Sequence, residues 1–235
     1  EANSDANAEN LPDTPLNAGI YFSHDGIIWA YLPTGVLKSV SAGSHPTAAL
    51  DGRLIYQDDE GNIMGRNMDS DRAKVLLNHR ELATEAVISP SGEYIAFTRR
   101  QLNRQRIYLR HLPSNSELVL PSIANQMSTP RWSINEELLL YSTRDSIENP
   151  DVSTGRNIYA YDLLNKRIEP ISISTADDIA PAWSPSNPNI IVFSRSEGEH
   201  RQVWILQFDT SGVLSERQLT RYGGETPVWL PDGSA

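Results

Sequence analysis

Four acids and a set of arginines are the residues of this sequence whose types and spacing suit chemistry. Asp58, Asp177, Asp178 and Glu225 fall in polar, turn-rich segments. Two carboxylates held across one cleft can hydrolyse a glycosidic bond, one as general acid and the other as base or nucleophile. Arg99, Arg100, Arg104 and Arg106 lie within one stretch of eight residues, and Arg144 and Arg195 close similar apolar runs further along. Guanidinium forks grip carboxylates and phosphates bidentately, so this set suits an anionic ligand or an acidic partner segment. His24 ends a comparable run near the N-terminus.

Other chemistries lack their residues. A serine hydrolase needs Gly-x-Ser-x-Gly at a strand-to-helix turn, and the chain has no such elbow. With no cysteine there is no disulfide, thiolate metal site or Cys nucleophile. The histidines, His24, His45, His79, His111 and His200, are scattered without a His-x-x-x-His pair, so no zinc site is expected. Asp58-Asp59-Glu60-Gly61-Asn62 has the acids of a calcium loop but not its spacing or distal Glu, and reads as a solvated hairpin turn. No metal or cofactor is expected. A formal charge of -10 and a pI near 4.9 argue against nucleic acid, whose phosphates need a positive surface. No apolar run approaches the roughly 18–20 residues of a membrane helix.

The elements that must position these residues come as a repeat. Pro181-Ala182-Trp183-Ser184-Pro185 recurs as Pro130-Arg131-Trp132-Ser133 and as Pro227-Val228-Trp229-Leu230-Pro231. Weaker copies begin at Pro46 and Ala86, so the intervals are 40, 44, 51 and 46 residues. Each copy leads through a turn to an apolar run such as Ile95-Ala96-Phe97 or Ile191-Val192-Phe193. A polar loop and a second run such as Ile107-Tyr108-Leu109 or Val203-Trp204-Ile205 follow. Short β-branched and aromatic runs bounded by Gly, Pro, Asn, Asp and Ser are strands joined by turns. Four of them per repeat of roughly 40–50 residues make a blade of a β-propeller. Trp132, Trp183 and Trp229 share one repeat position, which makes them inter-blade core rather than a sugar-stacking platform.

The expected fold is therefore all-β, a propeller of five four-stranded blades over residues 19–235. Thr226 to Leu230 is expected as a first strand that completes the N-terminal blade, which begins with the second-strand run Ile20-Tyr21-Phe22. Such closure removes exposed strand edges. Residues 1–18 are acidic, polar and aperiodic, and read as a disordered linker. Without an initiator Met the chain is expected to follow a removed membrane anchor or signal sequence.

In a propeller, the loop between the second and third strands and the loop before each first strand share one face. The residues ending the second strands are His24, Asp58, Arg99, Thr143 and Arg195. They differ from blade to blade, as recognition positions on a rigid scaffold do. Arg100, Arg144, Asp177, Asp178 and Glu225 are expected on the same mouth.

The Pro-x-Trp-Ser-Pro element, followed by Ile191-Val192-Phe193-Ser194 and Val203-Trp204, resembles the repeats of the TolB-type propeller family over about residues 20–235. The resemblance implies the propeller fold and leaves activity open. Family members include a periplasmic Tol–Pal component, propellers fused to serine peptidases, and extracytoplasmic domains of membrane-anchored winged-helix regulators of the CadC or ToxR kind. TolB itself has six blades and an N-terminal α/β domain, and the present repeats show neither. The reading favoured is a non-catalytic, extracytoplasmic domain that binds a protein or small ligand at the propeller mouth, such as the sensory domain of a membrane-tethered transcriptional regulator. A glycoside hydrolase using the mouth carboxylates and a structural scaffold of an envelope complex are the alternatives.

Overall fold

A computed structural model describes residues 20–67, 72–102, 104–121, 127–144, 155–209 and 212–229. The expected linker and the segment 230–235 lie outside the described residues. Five antiparallel sheets follow one another along the chain. The first has three strands, β1 (Ile20–His24), β2 (Ile27–Tyr31) and β3 (Leu37–Ala42). The second is β4 (Ser44–Ala48), β5 (Leu54–Gln57), β6 (Ile63–Arg66) and β7 (Lys74–Leu77). The third is β8 (Ala83–Ile88), β9 (Tyr94–Gln101), β10 (Arg104–His111) and β11 (Ser116–Val119). The fourth is β12 (Arg131–Trp132), β13 (Leu138–Arg144), β14 (Arg156–Asp162) and β15 (Arg167–Pro170). The fifth is β16 (Asp178–Trp183), β17 (Ile190–Glu197), β18 (His200–Asp209) and β19 (Gly212–Gln218). No helix among the described residues is long and apolar enough to cross a membrane.

The Trp-Ser-Pro element works as a stapled turn. Ser89, Ser133 and Ser184 are buried. Each backbone N–H donates to the start of the next strand, at Tyr94, Leu138 and Ile190, at 2.9 Å. The hydroxyls of Ser89 and Ser133 in turn accept from the N–H of Tyr94 and Leu138. One small polar residue thus satisfies the backbone groups that a reversing chain would otherwise leave unpaired.

Apolar side chains alternate along the second and third strands and pack between successive blades. Ile55, Ile95, Phe97 and Tyr108 fill the joint between the second and third blades. Leu109, Leu139 and Tyr141 fill the next joint, and Ile158, Trp183, Phe193 and Leu206 the last. Trp132 and Trp183 lie in these joints, as their repeat position implies, whereas Trp229 belongs to none of these clusters. Trp132 Nε1 donates to the Val87 carbonyl at 3.3 Å and Trp183 Nε1 to that of Arg131 at 3.0 Å, so the fourth and fifth blades are each tied to the first strand of the blade before.

A feature unseen in the repeat is a β-bulge in three of these inner strands. The ladders shift register between Ser44 and Thr47, between Thr84 and Val87, and between Ile179 and Ala182. His45, Glu85 and Ala180 adopt positive φ of 53°, 52° and 51° there. Each precedes the Pro46, Ala86 or Pro181 position, and a bulge bends and twists its strand.

The expected closure by Thr226 to Leu230 is not what holds that segment. Thr226 likewise has a positive φ, of 50°. Its N–H donates to Ser194 Oγ at 3.0 Å, and Trp229 Nε1 donates to the Ala182 carbonyl at 3.1 Å. Residues 226–229 are thus seated against the fifth blade by the same indole bond that joins other blades. β1 meanwhile packs on β4 of the second blade, and among the described residues 226–229 pair with no strand of the first blade. Leu230 lies outside the described residues.

Candidate functional site

The mouth face is built from the hairpins joining second to third strands and from the connections leading into the first strands. At the base of three hairpins a buried amide holds the neighbouring connection in place. Asn62 Oδ1 accepts the His79 N–H at 2.8 Å, and Asn157 Oδ1 accepts that of Ser174 at 2.9 Å. Gln202 Oε1 accepts the Thr220 hydroxyl at 2.8 Å and the Gly223 N–H at 3.3 Å. Asn62, Asn157 and Gln202 each stand one residue ahead of a third-strand apolar run, a repeat signal that sequence reasoning missed. Fixed in this way, the connections behave as rigid mounts for the residues they carry.

Two of the predicted arginines, Arg99 and Arg195, are not free on this surface. Arg99 faces the joint between the second and third blades, its guanidinium 4.4 Å from the Tyr108 ring centroid and 5.1 Å from that of Phe97. It forms ion pairs with Glu117 at 2.9 Å and Glu81 at 3.2 Å. Arg110, from β10, joins the same two acids, at 2.7 Å to Glu117. Burial pushes the Glu81 and Glu117 carboxyls up, but hydrogen bonds from Arg110, with Arg99 adding to them, outweigh it and hold both below the usual range. Arg99 shares a side of β9 with Ile95 and Phe97, and strand alternation turns it into the joint.

Arg195 is paired likewise. It lies opposite Asp178 in the ladder between β16 and β17. Its Nε and Nη2 donate to the two carboxylate oxygens at 2.7 and 2.9 Å. A further ion pair to Glu216 at 2.7 Å, and the Phe193 and Trp204 rings beneath, complete its surroundings. Burial works against the cation, and its hydrogen bonds to Asp178 and Glu216 overcome this and raise the guanidinium. Asp178 is 0 % exposed.

Asp177 sits one residue away in a different network. Arg156 donates to it from the backbone at 3.0 Å and from Nε and Nη2 at 2.8 and 2.7 Å, and Arg201 adds Nη2 at 2.6 Å. The Arg156 hydrogen bonds, against the opposing effect of burial, hold the Asp177 carboxyl well below the usual range. Gly155 is required beside this pair, since a Cβ there would overlap the Ala176 carbonyl. Arg201 also approaches Glu225 at 3.8 Å. Arg201 and Glu225, together with His200 and Gly223, line an open polar cleft of about 380 Å³.

The remaining predicted residues are local. Asp58 accepts from the N–H of Glu60 and Asn62 and from Asn62 Nδ2, closing its own turn. Burial raises its carboxyl, and the Asn62 bonds reverse this and lower it. His24 is exposed and lies 3.3 Å from Asp25. Arg100 and Arg144 are exposed, and the loop 145–154 beyond Arg144 lies outside the described residues. The structure thus brings Arg201 and Glu225 to one cleft, with Asp177 bound to Arg201, and Asp178 and Arg195 to one buried pair. His24, Asp58, Arg100 and Arg144 belong to other blades. Glu81, Arg110, Glu117, Arg156, Arg201 and Glu216, the partners in these networks, were not read from the sequence.

Among solved structures, the fold is that of TolB-type β-propeller domains. TolB from Acinetobacter baumannii superposes with a TM-score of 0.72 at 17 % identity, over 88 % of this chain and 52 % of that one. A TolB described as putative from Agrobacterium tumefaciens gives 0.68 at 19 % identity, over 84 % and 71 %. An oligogalacturonate lyase in complex with manganese gives 0.59 at 12 % identity, over 83 % and 58 %. The chain spans about half the length of the Acinetobacter protein. No family model and no curated relative matches the sequence.

Proposed function

We propose that this chain is a non-catalytic binding propeller, which recognises a protein segment or small ligand on its mouth face. One observation carries the reading. The acids best placed to act as a catalytic pair, Asp177 and Asp178, are each held bidentately by arginine. A general acid must carry a proton near neutral pH, and a nucleophile must reach its substrate. Asp177 is held ionised by its partners, and Asp178 is buried beneath Arg195. What remains is a rigid set of blades with hairpins that differ in charge and length, the usual arrangement for recognition. The TolB-like neighbours support a binding or scaffold role.

The finer reading is a domain outside the cytoplasm, serving as the sensory part of a membrane-tethered regulator. Activity is tested by screening arabinan, xylan, fructan and chromogenic glycosides. No turnover is expected, and turnover abolished by Asp177→Asn or Glu225→Gln overturns the binding reading. Location is tested by proteinase treatment of spheroplasts against intact cells. Digestion in spheroplasts alone is expected, and protection in both overturns the extracytoplasmic placement.

A further inference from the structure

The hairpin between β9 and β10 carries a patch that neither the ion networks nor the core uses. Leu102 stands at its tip, 97 % exposed and with φ 55°. A tip residue at positive φ is ordinarily Gly, Asn or Asp, so nothing in the turn itself calls for leucine. Leu82, 61 % exposed and with φ 54°, ends the connection into β8. Ala83 pairs with Arg99 in the ladder, which sets Leu82 beside Arg100. Arg104 pairs with Gln101 across the same hairpin, and Arg80 lies on the turn that leads to Leu82. The side chains of Arg80, Arg100 and Arg104 are exposed, and no described residue pairs with them. The acids at this joint, Glu81 and Glu117, are already taken by Arg99 and Arg110.

The corresponding hairpins of three other blades carry acids instead. That of the first blade carries Asp25, and that of the second carries Asp58, Asp59 and Glu60. Glu199 lies in that of the fifth. An anionic partner is repelled from those tips and attracted to the third blade, within a protein of net charge -10.

We infer that the tip of the third blade is the docking surface for an acidic polypeptide segment bearing an apolar side chain. Arg80, Arg100 and Arg104 take its carboxylates, and Leu82 and Leu102 take the apolar group. The inference rests on the binding reading above and deepens it, placing recognition on one blade rather than on the central axis.

The probe is a fluorescein-labelled oligoglutamate peptide with a central tryptophan, read by anisotropy on the full chain. Its controls are the same peptide with glycine at the centre, an oligolysine peptide, and vesicles of phosphatidylcholine and phosphatidylglycerol. Binding of the tryptophan peptide is expected, weakened by added salt and weaker for the glycine version. Arg100→Glu with Arg104→Glu should lower affinity about tenfold or more, and Leu102→Ser severalfold. Both variants should keep the parent melting temperature, since the side chains replaced are exposed and have no partner among the described residues. Absence of peptide binding overturns the inference, as do equal binding of oligolysine and vesicle binding that depends on the same residues. Peptide binding that survives these variants but is lost in Arg201→Glu leaves the binding reading standing and moves the site to the polar cleft. Glycoside turnover, by contrast, removes the binding reading itself.

Discussion

Asp178 and Arg195 face each other as ladder partners across the first two strands of the fifth blade, and their side chains close a bidentate pair above the Phe193 and Trp204 rings. The backbone register places this pair, so neither group samples solvent alone. Asp178→Ala is expected to cost about 3–5 kcal/mol, because it leaves a buried guanidinium short of its main counter-charge. Replacing both, Asp178→Leu with Arg195→Met, should cost clearly less than the two single losses added together. Urea unfolding of the four proteins checks this, and strict additivity would mean that the pair acts as two independent groups.

Acid should destabilise the blades through Glu81, Glu117 and Asp177. All three have carboxyls lowered in the folded protein, from ordinary values of 4.5, 4.5 and 3.8. A lowered folded value means the unfolded chain binds protons first as pH falls. Their stabilisation is therefore complete above about pH 5 and is lost progressively as pH drops through 4 toward the folded values. The melting temperature should be level near neutrality and fall below pH 4. Asp177→Asn should lie below the parent at pH 7 and converge on it in acid, and a gap that does not narrow would contradict the assignment.

The blades were legible because a short motif carries its own local mechanics. Ser89, Ser133 and Ser184 close turns within the same few residues that spell the repeat. The ion pairs were not legible in that way. Asp178 finds Arg195 seventeen residues on, while Asp177 finds Arg156 and Arg201 at separations of 21 and 24. No fixed offset marks such partners, since hairpin and connection lengths vary between blades. The burial of Arg99 was within reach, because it alternates with Ile95 and Phe97 on the packed side of β9. Seating of Thr226 to Trp229 depended on which neighbour the indole bonds, and the residue pattern is the same for either.

The buried amides offer a local test of the mounts. In Asn157→Ala the Ser174 N–H loses its acceptor, at an expected cost of about 1–3 kcal/mol. Amide exchange should accelerate at Ser174 and its neighbours while the centres of β13 and β14 stay protected. Uniform acceleration across the fourth blade would show that Asn157 supports the blade as a whole and does not specifically position the connection.

Trp183 and Trp229 make the same indole bond in unequal surroundings, which separates packing from hydrogen bonding. Trp183 is 8 % exposed and packs tilted against Phe208, with ring centroids 5.9 Å apart and planes at 52°. Trp229 is only half-buried, and its neighbour Val228 is 87 % exposed. Trp183→Ala should therefore cost about 3–5 kcal/mol, as for other large buried aromatics. Trp183→Phe keeps much of the apolar contact and removes the donor, leaving the Arg131 carbonyl without it, so it should cost roughly 1–2 kcal/mol. Trp229→Ala has less apolar area to lose and should cost about half of the Trp183→Ala value. Denaturant unfolding followed by tryptophan fluorescence and circular dichroism measures all three. A Trp229→Ala loss as large as that of Trp183→Ala would mean that the seat on Ala182 holds more of the fifth blade than its burial accounts for. Equal losses in Trp183→Phe and Trp183→Ala would place the stabilisation in the indole hydrogen bond, and the joint between the fourth and fifth blades would then owe little to the packing of that ring.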